Sequence, residues 1–117
     1  MTLYLKVDTP VWYKGDYTDV GGLSITGTIY SNATMVTAFD YTGYTLKIKG
    51  FNQRGEEEFS FDAAAVTEAS GTWIFSPAIG NLNIDFIGDI VIELTKTDSR
   101  LQARGRNSSA GFWITDK

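Results

Sequence analysis

Apolar and polar residues alternate with a period of two along most of the chain, and no segment sustains the 3.6-residue period of an amphipathic helix. Leu3, Leu5 and Val7 alternate with Tyr4, Lys6 and Asp8 before Thr9-Pro10, which predicts a first strand ended by a proline, with Val11-Trp12-Tyr13 continuing it after a bend. Leu23, Ile25, Gly27 and Ile29 alternate with Ser24, Thr26, Thr28 and Tyr30 as a half-buried strand. Gly27 sits on the inward parity, where it predicts a bulge or the close approach of a large side chain from a partner strand. A turn at 31–34 is followed by a short strand at 35–39 and a turn at 40–43.

Tyr44, Leu46 and Ile48 alternate with Thr45, Lys47 and Lys49, and a glycine-bounded loop at 50–55 leads into Glu57-Glu58-Phe59-Ser60-Phe61. Together these predict a hairpin, with Phe59 and Phe61 on one face and a lysine within reach of a glutamate across the ladder. The segment 62–69, rich in alanine, is read as a short helical turn or an extended crossover. Thr72–Phe75 is a strand stopped by Ser76-Pro77, with Trp73 placed as a core anchor. The segment 78–88 reads as a loop with apolar pegs, with room for a short strand inside it. Ile90, Ile92 and Leu94 alternate inward on a strand that forms a second hairpin with 100–106, and Phe112 and Ile114 share a parity opposite Trp113 on the last strand.

Seven to nine short strands, no repeat and no βαβ periodicity predict one all-β domain over residues 1–117, an antiparallel immunoglobulin-like β-sandwich rather than its rival, a small closed barrel. The 117 residues include 14 Thr, 12 Gly, 7 Phe, 6 Tyr and 3 Trp, in keeping with strands and tight turns. No segment approaches 18 apolar residues, so neither a membrane span nor a signal peptide is expected.

Composition narrows the chemistry. The chain has no Cys and no His, which removes thiol nucleophiles, thiolate metal sites, imidazole acid-base chemistry and most catalytic triads. No enzyme, cofactor or metal site is expected. Asp16 with Asp19 and Asp85 with Asp89 lie in predicted turns without the ordered ligand spacing of a calcium loop. The formal charge of −4 disfavours nonspecific nucleic-acid binding.

Three groups remain as candidates for partner contacts. Arg100, Arg104 and Arg106 share a parity on an extended strand and form a cationic stripe, open to reading as an exposed edge face, a protein interface or phosphate contacts. Glu56, Glu57 and Glu58 form a run of opposite sign, so a homo-oligomer joining one subunit's acidic face to the next subunit's arginines is expected to be salt-sensitive. Trp12, Tyr13 and Tyr17 crowd a loop that the strand pattern does not need, either as a satellite core or as exposed aromatics for a protein or a sugar ring.

The opening Lys14-Gly15-Asp16, the Gly71-Thr72-Trp73 strand start and the late Gly88-Asp89-Ile90-Val91-Ile92 strand give the chain a pattern that resembles the N-terminal immunoglobulin-like domain of phage baseplate upper proteins. The similarity spans about nine tenths of the chain. It implies a noncatalytic virion protein, found in the particle or in the host cytoplasm during assembly, that joins tail or baseplate parts and has other virion proteins as partners. Members of that family commonly continue into a stalk, whereas this sequence ends at Lys117, so the expected role is a connector or accessory module. A small carbohydrate-binding or host-surface adhesion module is the alternative.

Overall fold

The computed structural model describes residues 1–116. Nine strands form: β1 (Leu3–Val7), β2 (Val11–Tyr13), β3 (Ile25–Tyr30), β4 (Thr45–Asn52), β5 (Glu57–Thr67), β6 (Thr72–Phe75), β7 (Phe86–Lys96), β8 (Ser99–Gly105) and β9 (Gly111–Thr115). Seven of them close on themselves in the order β1-β3-β6-β5-β4-β7-β8, with β8 returning to β1. The architecture is therefore a seven-stranded β-barrel, and the expected immunoglobulin-like sandwich is corrected. The overturning contact is the β1–β8 ladder, in which Leu3, Tyr4 and Leu5 pair in parallel with Ala103, Arg104 and Gly105. Inward-outward alternation is the same in a sandwich and in a barrel, so the pattern along each strand does not reveal whether the outermost strands meet.

β7 holds the remaining two strands. Its Gly88–Thr95 stretch pairs with β4, and on its other side the C-terminal part pairs with β8 and the N-terminal part with β9. β9 in turn carries β2 in parallel, Val11 beside Trp113 and Tyr13 beside Thr115. The result is a barrel with a two-stranded flap, and β2 is its one open edge among the described residues.

Both predicted hairpins form, as β4–β5 and β7–β8, but two segments are longer than their patterns suggest. β5 runs on to Thr67, because Ala63, Ala64 and Ala65 find ladder partners in Leu46, Ile74 and Trp73. Pairing thus overrides alanine's helical preference, and only Glu68–Ser70 forms a 3-10 turn. β7 begins at Phe86, inside the segment read as a loop, since Phe86 and Gly88 pair with β9. The predicted strand at 35–39 reduces to a single bridge between Tyr30 and Ala38.

Two inward glycines make room for large aromatic core side chains opposite them. Gly27 is directly opposite Trp73, and a Cβ placed on Gly27 would lie 2.8 Å from Trp73 Cε2. The close approach predicted for Gly27 is thus observed. Gly50 repeats the device opposite Phe59, whose ring covers it. Around these pairs, Leu5, Ile25, Ile29, Ile48, Ile90, Ile92 and Leu94 are fully buried, and Phe59 meets Phe86 edge-on at 5.2 Å while Phe61 stacks on Phe75 at 5.3 Å.

Tyr41 is buried in the same core, and its hydroxyl donates to the Thr72 carbonyl. Burial pushes the Tyr41 phenol above its ordinary pKa. Tyr41→Phe is expected to lower stability by about 1–2 kcal/mol, because the Thr72 carbonyl loses its partner inside the fold. Urea unfolding of the two proteins measures the difference.

Candidate functional site

Trp12 lies on the inner side of the flap and is 1% exposed. Its indole N–H donates to the Leu23 carbonyl at 3.1 Å, and the Tyr17 ring packs against it at 5.7 Å. The Tyr17 loop is pinned from below, where Thr18 donates to the Pro77 carbonyl and Asp19 accepts from the Ile79 N–H. Of the three candidate aromatics, Trp12 therefore belongs to the main core and Tyr17 packs against it, rather than forming a separate satellite core. Tyr13 points outward, at 37% exposure.

The outer face of the flap carries a feature that the sequence reading did not single out. Trp113 on β9 is 48% exposed and stands between Val11 on β2 and Ile87 on β7, which is itself 54% exposed. The signal was its parity: Phe112 and Ile114 turn inward into the core, so the residue between them must turn outward. Two open grooves flank the indole. One, of about 480 Å³, is lined by Asn52, Arg54, Glu58, Asp85 and Thr115, and the other, of about 510 Å³, by Pro10, Asp89 and Ser108. Gln53 and Ile87 line both.

The rim of this face is held in place. Asn52 Nδ2 donates to Glu58 at 2.8 Å, and its Oδ1 accepts from the backbone N–H groups of Arg54 and Glu56. Lys14 reaches Asp85 at 2.6 Å and Asp116 at 3.7 Å. The hydrogen bond that Lys14 donates to Asp85 holds its ammonium above the ordinary lysine range, with Asp116 adding to it against partial desolvation.

The acidic run is largely engaged within the subunit. Glu57 pairs with Lys49 at 3.4 Å, Glu56 with Arg54 at 2.7 Å, and Glu58 accepts from Asn52. Lys49 also reaches Glu93 at 3.2 Å, and that hydrogen bond is the main reason its pKa is raised. An intersubunit interlock using Glu56, Glu57 and Glu58 would share these carboxylates with their partners inside the subunit. In the open hollow over β5, β4 and β7, Lys47 stands between Asp62 and Glu93 in the ladder, an alternation of charge rather than a carboxylate dyad.

Arg100 and Arg104 share the outer face of β8 as the parity predicts, with Gln102 between them. Arg106 lies past the strand's end at Gly105, where its backbone N–H donates to Ser109 Oγ. All three arginines are exposed. No helix of the described residues is long and apolar enough to cross a membrane. Comparison with protein-family models, with characterised proteins and with solved structures finds no match to this chain.

Proposed function

We propose that this protein is a noncatalytic structural component of a phage particle, a connector or accessory module of the tail or baseplate, and that it meets neighbouring virion proteins through the Trp113 face. The observation that carries the docking role is the half-exposed indole in a row with Val11 and Ile87 on a paired, rigid sheet. Tryptophan is enriched among the few residues that dominate binding energy at protein interfaces, and an apolar row within a polar rim is the layout of such interfaces. The virion assignment rests on the resemblance in turns and strand starts, from Lys14-Gly15-Asp16 to the Gly88 strand; a barrel now replaces the sandwich which that resemblance implied.

Trp113→Ser is expected to change stability by less than about 0.5 kcal/mol, because its side chain lies outside the core. The same substitution is expected to cut the amount of protein recovered in purified particles by about tenfold, the loss of one modest hot spot. Immunoblotting of gradient-purified virions checks this. Wild-type protein missing from particles, or wild-type incorporation by Trp113→Ser, overturns the proposal.

A second reading has its own support. Asn52, Gln53, Arg54 and Asp85 place planar polar groups around the indole, and a pyranose ring binds through its apolar C–H face and its rim of hydroxyls. Saturable sugar binding on a glycan array, lost in Trp113→Ser, would favour this adhesion role over assembly.

A further inference from the structure

We propose that the outer face of β1 and β8 is a second docking site, built to take an extended acidic segment of a partner protein. It shares no residue with the Trp113 face and stands independently of it. Four of the ten basic residues, Lys6, Arg100, Arg104 and Arg106, are exposed on or next to these two strands, and none makes an ion pair among the described residues. This is unexpected in a chain with fourteen acids. Elsewhere Lys14, Lys49 and Arg54 hold carboxylates, Lys47 stands between Asp62 and Glu93 in the ladder and Lys96 lies over the Tyr44 ring, whereas no ladder partner of Lys6, Arg100 or Arg104 is acidic.

Arg104 is held ready for a carboxylate. Its Nη2 donates to Gln102 Oε1 at 2.9 Å, and its guanidinium lies 5.7 Å from the centre of the Phe51 ring. Tyr4 is its ladder neighbour on β1. A guanidinium fixed on one edge and one face loses little further freedom when its remaining N–H groups grip a carboxylate side-on. Beside it, Thr2, Tyr4, Arg100, Gln102 and Arg104 line an open groove of about 580 Å³.

Geometry narrows the partner. β8 is paired with β7 over Ser99–Arg104 and with β1 over Ala103–Gly105, so around Arg104 an incoming segment cannot join the sheet and must be read through side chains. Outward residues on a strand recur about every 6.6 Å, and the alternate side chains of an extended peptide recur at the same interval, so carboxylates four residues apart match Arg100 and Arg104, with the side chain between them facing Gln102. A long phosphate backbone fits less well. Asp89 lines the hollow beside Arg104, Asp98 sits in the β7–β8 turn, and the chain's net charge is −4, so a polyanion running beyond the stripe meets repulsion.

The test is fluorescence anisotropy on the full chain, with a labelled peptide of about twelve residues alternating Glu and Ser, and a labelled oligothymidylate of similar length for comparison. Binding of the peptide at about 50 mM salt and at least about a tenfold loss at about 500 mM salt are expected, because exposed charges are screened beyond a few ångströms at the higher value. Arg104→Glu combined with Arg106→Glu should weaken binding by about tenfold or more without shifting the melting temperature. Arg100→Gln with Arg106→Gln, which spares the Arg104–Phe51 contact, should give a smaller loss, and Trp113→Ser none. No binding at about 100 μM protein, a reversed-charge variant that binds as tightly as wild type, or tighter binding of the oligonucleotide than of the peptide would each overturn the proposal, the last by reassigning the face to nucleic acid.

Discussion

Trp12→Ala is expected to destabilise the protein by about 3–5 kcal/mol, the usual cost of emptying a buried tryptophan site. For a chain of this length that corresponds to a fall of roughly 10–20 °C in melting temperature, measurable by circular dichroism. Three losses combine. The indole leaves a cavity between the flap and the barrel, the Leu23 carbonyl loses its donor, and Tyr17 loses the ring it packs against. Since Leu23 and Tyr17 flank the 18–22 segment, the loop is expected to loosen along with the flap. An unchanged melting temperature would show that Trp12 does not bridge the two.

Trp12 and Trp113 divide two roles between them. Both residues are tryptophans on neighbouring flap strands, two ladder rows of one small sheet, yet the inward one should govern stability and the outward one recognition. Any loss of binding seen in Trp12→Ala is therefore expected to follow its loss of structure. Denaturant titration beside the binding assay separates the two effects.

Gly27→Ala is expected to cost about 2–3 kcal/mol, although glycine to alanine within a strand ordinarily helps by several tenths. The added methyl group would press on two unlike neighbours. One is the Trp73 ring, a side chain; the other is the Lys6 carbonyl oxygen, part of the β1 backbone. Combining Gly27→Ala with Trp73→Leu should relieve the first contact and leave the second, so the double variant is expected to be more stable than the sum of the single costs by at least about 0.5 kcal/mol. Strict additivity in a double-mutant cycle would show that the backbone contact alone sets the cost.

Individual strands were legible because a half-buried strand records its facing directly in alternate residues. Ile25, Gly27 and Ile29 pointed inward as their spacing required, and Gly27 even announced a bulky neighbour. Closure was not legible, because it depends on Leu3–Leu5 meeting Ala103–Gly105, and nothing local in either segment encodes a partner about a hundred residues away. The ends of β5 and β7 were obscured for a related reason. Ala63–Ala65 have weak strand preference of their own, and Phe86–Gly88 lack alternation, so both become strands only when neighbours on either side supply hydrogen bonds.

For the surface residues the pattern told more than composition did. A crowd of aromatics at 12–17 drew attention by number, but parity places Trp12 inward and Trp113 outward. The same rule puts Lys6 on the outside of β1, beside the strand whose arginines the sequence marked. The charged triplet at Glu56–Glu58 was visible as charge, whereas its engagement by Lys49, Arg54 and Asn52 required the bend between β4 and β5.

The parallel joining of β1 to β8 also bears on how the chain is made. During synthesis the first strand emerges roughly a hundred residues before the strand that seals it, and β7, which anchors β4, β8 and β9, is itself a late arrival. Long-range pairing of this kind is slow, since the loop must close before contacts reward it. The β1–β3–β6 and β4–β5 ladders can assemble early, but they wait with unpaired edges until residues 86–105 appear. Folding is thus tied to the synthesis of residues 86–105, and a nascent chain halted before β8 would expose the strand edges that the finished barrel hides.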